Sequence, residues 1–367
     1  MIKFKYLGVL LGVLLIMLLF FSCGSEPSSA SSSASSTSTG TSLNLKNYIG
    51  SASIGDIVSY GIDHEGKQLM YSNLTRGYFW SSTYSEESDG SCKFTVPVVD
   101  EEAFFIEIPD KMLVVNFYIR ENNTNIPAFA VLVPQKINSA DDLTNLNGFY
   151  AILEAFRLVT NDYGNGLYEV NAGAVEISNT NWSHYKGENS GLSNDDHGTI
   201  YFSNEVKLAY AVNPTGEFSI PMFIGDTTLA ADMGIGKGFQ VGLKLRTTPV
   251  TPSELAGDYI IMFYAQRREP NSTNWTSELT KGIVTLSNNG SYIDVWFYGT
   301  NVATMQVHSF PVQNKGINVY TLWNTNGEGG GVILSEDLSC GFIFEREGWI
   351  YNTNDFFFAQ FGFVKKK

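Results

Sequence analysis

The sequence predicts an all-β protein: tandem antiparallel β-barrel or β-sandwich modules behind a disordered tether. Three observations predict it. Only 16% of residues are charged while 14% are aromatic, and there are 35 glycines, a balance that suits strands joined by tight turns. Apolar and polar residues alternate between Gly/Asn/Asp clusters, the period of a half-buried strand. The chain also resembles itself at intervals of 109 to 111 residues.

Met1 to Lys5 carries two lysines and no acid, and Tyr6 to Phe21 is a run of 16 apolar residues and glycines. A membrane-spanning helix needs about 20 residues, so residues 1–22 fit an export leader better than an uncleaved anchor. The run ends Phe20-Phe21-Ser22-Cys23-Gly24. This resembles the lipobox of bacterial lipoproteins, where the leader is cut before the Cys and the thiol takes up a diacylglycerol. Phe20 stands where that pattern usually has Leu. The resemblance implies lipidation of Cys23, attachment to a membrane and a place in the cell envelope. Because Gly24 rather than Asp follows the Cys, it favours the outer membrane. Up to Ser42 the chain then holds no aromatic or large aliphatic residue. Such a segment has nothing to bury and cannot offset its ordering entropy. Residues 23–42 are predicted to be a lipidated, flexible spacer.

Three landmarks carry the internal repeat. Leu146-Asn147-Gly148-Phe149-Tyr150 and Leu255-Ala256-Gly257-Asp258-Tyr259 both read Leu-x-Gly-x-Tyr, with glycines 109 apart. Gly173 to Asn179 matches Gly282 to Asn288 at 109, and Asn213 to Glu217 matches Asn324 to Glu328 at 111. A first copy is fainter. Gly55-Asp56-Ile57-Val58 matches Gly257-Asp258-Tyr259-Ile260, and Phe129 to Val133 matches Phe239 to Leu243. Repeats of this kind are each one structural unit, which predicts modules at 43–136, 137–248 and 249–367.

Turns punctuate each module. Ile57 to Ile62 and Gln68 to Tyr71 flank Asp63 to Lys67, and Met112 to Tyr118 and Ala128 to Val133 flank Glu121 to Asn125. Both pairs predict hairpins, as do Trp349 to Tyr351 and the run from Phe356 to Val364. Tyr150 to Leu158 is rich in helix formers, but its repeat partner Tyr259 to Tyr264 is strand-like, so both are predicted strands. A short acidic turn precedes each Leu-x-Gly-x-Tyr, at Ser139 to Leu143 and Thr251 to Leu255. A helical turn running into Gly-x-aromatic is similar to the opening of lipocalin-type barrels, with Tyr150 and Tyr259 where Trp is usual. A module of about 110 residues holds about eight short strands, enough to close a small barrel. A sandwich accounts for the same pattern.

Without the leader the chain has 21 basic and 37 acidic residues, a net charge of −16. That argues against a nucleic acid or an anionic surface as partner. His64, His184, His197 and His308 show no metal-ligand spacing. Asn194-Asp195-Asp196-His197-Gly198 is rich in oxygen ligands but lacks the calcium-loop spacing, and it reads as a turn. So do Asp100-Glu101-Glu102 and Met233 to Gly238. No catalytic constellation and no cofactor are predicted. Cys92 and Cys340 could form one disulfide in an oxidising compartment, although they fall in different modules. Trp182 and Trp275 lie in Asn/Ser/Thr-rich segments and are the candidate ligand-binding residues. A Trp in such a place either stacks on a ligand or plugs a barrel end. The predicted role is non-catalytic binding or display by an envelope lipoprotein, with a small apolar molecule or a glycan as ligand. The alternatives are a carbohydrate-active envelope enzyme and a structural spacer.

Overall fold

The computed structural model describes residues 44–367 apart from 122, 135–138, 158–167, 187–192, 218, 269–274, 326–329, 346–347 and 350–355. Cys23 and the predicted leader and spacer lie outside the described residues. The chain builds three antiparallel barrels in succession. Barrel 1 comprises β1 (Lys46–Ala52), β2 (Asp56–Asp63), β3 (Gln68–Asn73), β4 (Tyr78–Glu86), β5 (Cys92–Val96), β6 (Glu101–Ile108), β7 (Met112–Glu121) and β8 (Thr124–Pro134). Barrel 2 comprises β9 (Gly148–Arg157), β10 (Tyr168–Ser178), β11 (Asn181–Lys186), β12 (Ser193–Ser203), β13 (Leu208–Val212), β14 (Ser219–Ile224), β15 (Thr228–Asp232) and β16 (Gly238–Lys244). Barrel 3 comprises β17 (Gly257–Arg268), β18 (Trp275–Asn289), β19 (Tyr292–Phe297), β20 (Thr300–Val312), β21 (Ile317–Asn324), β22 (Gly330–Leu334), β23 (Cys340–Glu345) and β25 (Phe356–Lys366). The two-residue β24 (Gly348–Trp349) pairs with β25. Each first strand pairs with a last strand: Ile49 faces Val133, Ala151 faces Leu243, and Ile260 faces Lys365. Closure decides for barrels over sandwiches.

The closing strands are apolar on both faces. Side chains alternate across a strand. On β8, Ala128, Ala130 and Leu132 point into the lumen, while Phe129, Val131 and Val133 point outward, and all six are buried. Phe239, Val241 and Leu243 of β16 and Phe361 and Phe363 of β25 point outward in the same way. The outward residues of the three barrels form one shared core. At its centre Phe129, Phe239 and Phe361 meet, with ring centroids 6.1, 5.8 and 5.6 Å apart.

The contacts between barrels are cyclic. β1 lies against β14, β15 and β16; β9 and β10 lie against β22, β23 and β25; β17 and β18 lie against β7 and β8. First strands always meet the last strands of a neighbour, a head-to-tail arrangement that closes after three steps. The barrels therefore form a ring about a pseudo-threefold axis and all point the same way. The end from which first strands depart is the base, and the opposite end is the rim. At the base of the axis, the equivalent turns holding Lys111, Thr227 and Asp337 line a cavity of about 120 Å³.

The Leu-x-Gly-x-Tyr repeat closes the base. Capping boxes start the 3-10 turn Ala140–Leu146 (Ser139 with Asp142) and helix α1, Pro252–Leu255 (Thr251 with Glu254). Leu146 and Leu255 end these turns buried in the barrel cores. Gly148 and Gly257 then take φ values of 146° and 140°, which other residues avoid. This turns Tyr150 and Tyr259 inward, where their hydroxyls donate to the carbonyls of Leu146 (3.1 Å) and Leu255 (2.8 Å).

In barrel 1 the counterpart is Tyr48. Its partner Pro134 stands five residues after Phe129, as Lys244 and Lys366, the partners of Tyr150 and Tyr259, stand after Phe239 and Phe361. The match of Gly55 to Gly257 is thereby corrected: Gly55 sits in the β1–β2 turn at the rim, with φ 74°. No helical turn precedes Tyr48 among the described residues. Its hydroxyl instead donates to the Glu107 carboxylate, which also meets Lys46 (3.0 Å) and His64 (3.1 Å). The Asn194 to Gly198 stretch is likewise corrected from turn to strand. It lies within β12, with His197 opposite Ser183. Cys92 and Cys340 are free thiols.

Candidate functional site

An eight-stranded barrel is just wide enough to be filled by side chains or to hold one small ligand. The three lumens differ at one equivalent pair of facing positions. The pair is Ala52 and Ala130 in barrel 1, Glu154 and Gln240 in barrel 2, and Phe263 and Gly362 in barrel 3.

Barrel 1 is filled. Tyr60, Tyr71, Trp80, Phe94, Phe105 and Phe117 pack in its lumen and are all buried. Its rim is closed by Asp56, fully buried, which accepts from Arg76 Nε (2.5 Å) and Asn73 Nδ2 (2.8 Å). Burial pushes the Asp56 carboxyl up, and the Asn73 hydrogen bond and the Arg76 charge act against that rise.

Barrel 2 is filled by apolar groups toward its base and polar groups above. Trp182 is buried in this core, its indole N–H donating to the Val212 carbonyl at 3.3 Å. Higher up, Gln240 donates to Glu154 Oε1, and His184 Nε2 lies 3.3 Å from that oxygen. His184 Nδ1 stands 3.5 Å from Asp195. Glu154 is 1% exposed and burial raises its pKa.

Barrel 3 is different. One rung of its wall runs Val307, Leu322, Val332, Ile343, Gly362 and Phe263. Ile261, Val295, Phe297, Met305, Val307 and Ile343 belong to the apolar lining but remain partly accessible. In barrel 2 a single such residue, Ile220, is only partly buried. The lumen of barrel 3 is thus apolar from its base to the Phe263–Gly362 rung and reached by solvent, while Thr280, Glu278 and Gln360 lie on the lumen face nearer the rim. Its base is closed by Leu255 and Tyr259. Near its rim, Phe297 sits against Gly282, where a Cβ would fall 2.6 Å from the Phe297 ring. On the rim itself, the β19–β20 hairpin exposes Trp296 (37%), Tyr298 (77%) and Val302 (45%).

The candidates from sequence therefore fall apart in space. Trp182 belongs to the core of barrel 2. Trp275 opens β18 opposite Arg268, and its side chain lies outside the described residues, as does Cys23. Among the described residues no group of three or more His, Cys, Asp and Glu is placed to hold a metal ion. No helix among them is long and apolar enough to cross a membrane. Sequence reasoning missed the β19–β20 hairpin. Its signal is the uncharged run from Val295 to Met305 around Tyr298-Gly299.

Between barrels 1 and 2 a buried acid sets a pH dependence. Asp232, 4% exposed, accepts from Ser51 Oγ (2.9 Å) and from the Gly234 amide (2.7 Å). Burial pushes its pKa up from 3.8 to about 6. Between those values the folded chain holds a proton that the unfolded chain has lost, so stability falls as pH rises through that window. Above it the ionised acid is a net cost of about 3 kcal/mol. Asp232→Asn is expected to raise the unfolding free energy at pH 7.5 by roughly 1–3 kcal/mol, with the gain gone at pH 4. Denaturant titrations at both pH values check this, and a gain independent of pH would exclude it.

No protein family matches the chain, and no curated protein matches it in sequence. Solved structures do. A double mutant of the vaccine antigen transferrin-binding protein B from Haemophilus parasuis Hp5 matches over 85% of this chain and 66% of its own, at 10% identity and a TM-score of 0.25. A single mutant of that antigen and the isotype 1 transferrin-binding protein B from serogroup B Neisseria meningitidis match over the same shares, each at 9% identity and a TM-score of 0.23. The chain thus spans just under two-thirds of the length of these neighbours. At such scores the likeness adds nothing to what the residues of this chain argue for themselves.

Proposed function

We propose that the chain is a non-catalytic envelope protein, held to a membrane through an acylated Cys23, that carries one slender apolar ligand in the lumen of barrel 3. The observation that carries this reading is the solvent access of Ile261, Val295, Phe297, Met305, Val307 and Ile343, an apolar lining inside a closed barrel. Water in an apolar space finds few hydrogen-bond partners. A hydrocarbon chain that replaces it gains contact on all sides. The filled lumens of barrels 1 and 2 then serve as scaffold for the third.

The test is native mass spectrometry of the full chain with deuterated palmitate. One palmitate per chain is expected, and Val307→Trp, which fills the lumen, is expected to lower the bound fraction at least tenfold at an unchanged melting temperature. Gly282→Val, which pushes Phe297 off the wall, gives the same reading if Val307→Trp does not fold. No uptake by the unaltered chain, or uptake that persists in a folded filled variant, would exclude the proposal.

A further inference from the structure

The β19–β20 hairpin ends in water beside the lumen entrance of barrel 3. Val295 to Met305 holds no charged residue, in a chain with 37 acidic residues. Trp296, Tyr298 and Val302 are exposed at its tip. Tyr298 has φ 48°, the left-handed region that a bulky residue occupies at a cost and Gly or Asn does not. A strained, exposed aromatic residue at a tip points to a contact that uses it. Tyr and Trp, apolar in body and polar at one edge, favour the boundary between water and hydrocarbon. An uncharged tip can sink below the headgroups without carrying an ion into the hydrocarbon, where charge is expensive.

We propose that the tip of the β19–β20 hairpin docks on a zwitterionic lipid surface and sets the lumen of barrel 3 against the acyl chains it takes up. The purpose of the contact rests on the ligand reading of barrel 3; the contact itself stands on the hairpin. Phe297, inward of the tip, lies between the docked surface and the lumen. From Cys23 to Asn44 the chain can extend to about 70 Å. That length lets the ring, joined to its tether at the base, turn its rim toward the bilayer that holds the anchor.

The test uses the full lipid-anchored chain in phosphatidylcholine vesicles that contain doxyl-labelled lipid. Tyr298→Cys and, as reference, Tyr201→Cys on the outer wall of barrel 2 each carry a nitrobenzoxadiazole label, in a Cys92→Ser background. Lipid quenching at position 298 is expected to exceed that at position 201 at least threefold. Adding Trp296→Ser and Val302→Ser is expected to bring it down to the reference level. Thr300→Cys, also exposed on the hairpin, carries the label if Tyr298→Cys does not fold. Equal quenching at hairpin and reference overturns the proposal. Palmitate uptake on the same samples separates the two readings. Uptake without hairpin quenching sinks the docking and leaves the ligand site. Hairpin quenching without uptake supports the docking and sinks the ligand site.

Discussion

Phe361→Ala is expected to destabilise the protein by about 3–5 kcal/mol, the range for removing a fully buried aromatic ring. Phe361 is 0% exposed and sits where the three barrels meet. It touches Phe129 and Phe239 across the axis, stacks on Tyr264 at 4.9 Å and meets Tyr168 edge-on at 5.2 Å. Its partners come from all three barrels, so the cavity left behind cannot collapse by a shift in one barrel alone. The same loss weakens the coupling between barrels, and their unfolding is expected to be spread over a wider range of denaturant than in the parent. Phe79→Ala is the reference. Phe79 is 79% exposed, and its truncation is expected to stay within about 0.5 kcal/mol. Guanidinium titrations of both variants decide it. Similar small losses in the two would mean that the axis is not the packing centre of the ring.

Cys23→Ala is expected to abolish fatty-acid labelling of the protein in growing cells and to shift it out of the acylated membrane pool. One acyl chain holds a protein at a membrane only marginally, and stable attachment takes at least two signals. A diacylglycerol thioether would supply two chains at once, so removal of the thiol is an all-or-none change. The melting temperature of the ring is expected to stay the same, since position 23 precedes every strand of the three barrels. Incorporation of radiolabelled palmitate into the variant at the parental level would assign the anchor to another group. The relaxed Phe20 position makes this the sharpest test of the N-terminal reading.

The hairpins are legible in the sequence because their chemistry is local. Asp63 to Lys67 and Glu121 to Asn125 are turns by composition, and the strands around them alternate. Tyr150 to Arg157 shows how the repeat outweighs propensity. Its helix formers are there because two environments want them: Ala151, Leu153 and Ala155 face the axis, while Glu154 faces the lumen. The ring is not legible in the same way, although a sign of it is present. Phe129 to Val133, Phe239 to Leu243 and Phe361 to Val364 are almost unbroken apolar runs, and such runs mean strands buried on both faces. The first repeat aligns by sequence with the wrong residues because barrel 1 has Lys46 where the others have Gly148 and Gly257, leaving Tyr48 as the whole signal. The accessible lumen of barrel 3 is out of reach of sequence. It depends on Gly362 standing opposite Phe263 and on Phe297 sitting against Gly282, which is a matter of packing across strands.

The head-to-tail contacts also say what the third barrel is for as an object in assembly. Every barrel offers one kind of face to its predecessor and another to its successor. A chain cut to two barrels would leave one face of each kind unmated, and these fit each other between molecules. Because the rotation closes after three steps, a barrel borrowed from a second molecule would complete the ring but leave its own companion barrel without a place. The third barrel mates both faces within one chain, which gives a particle of fixed size with no adhesive ends.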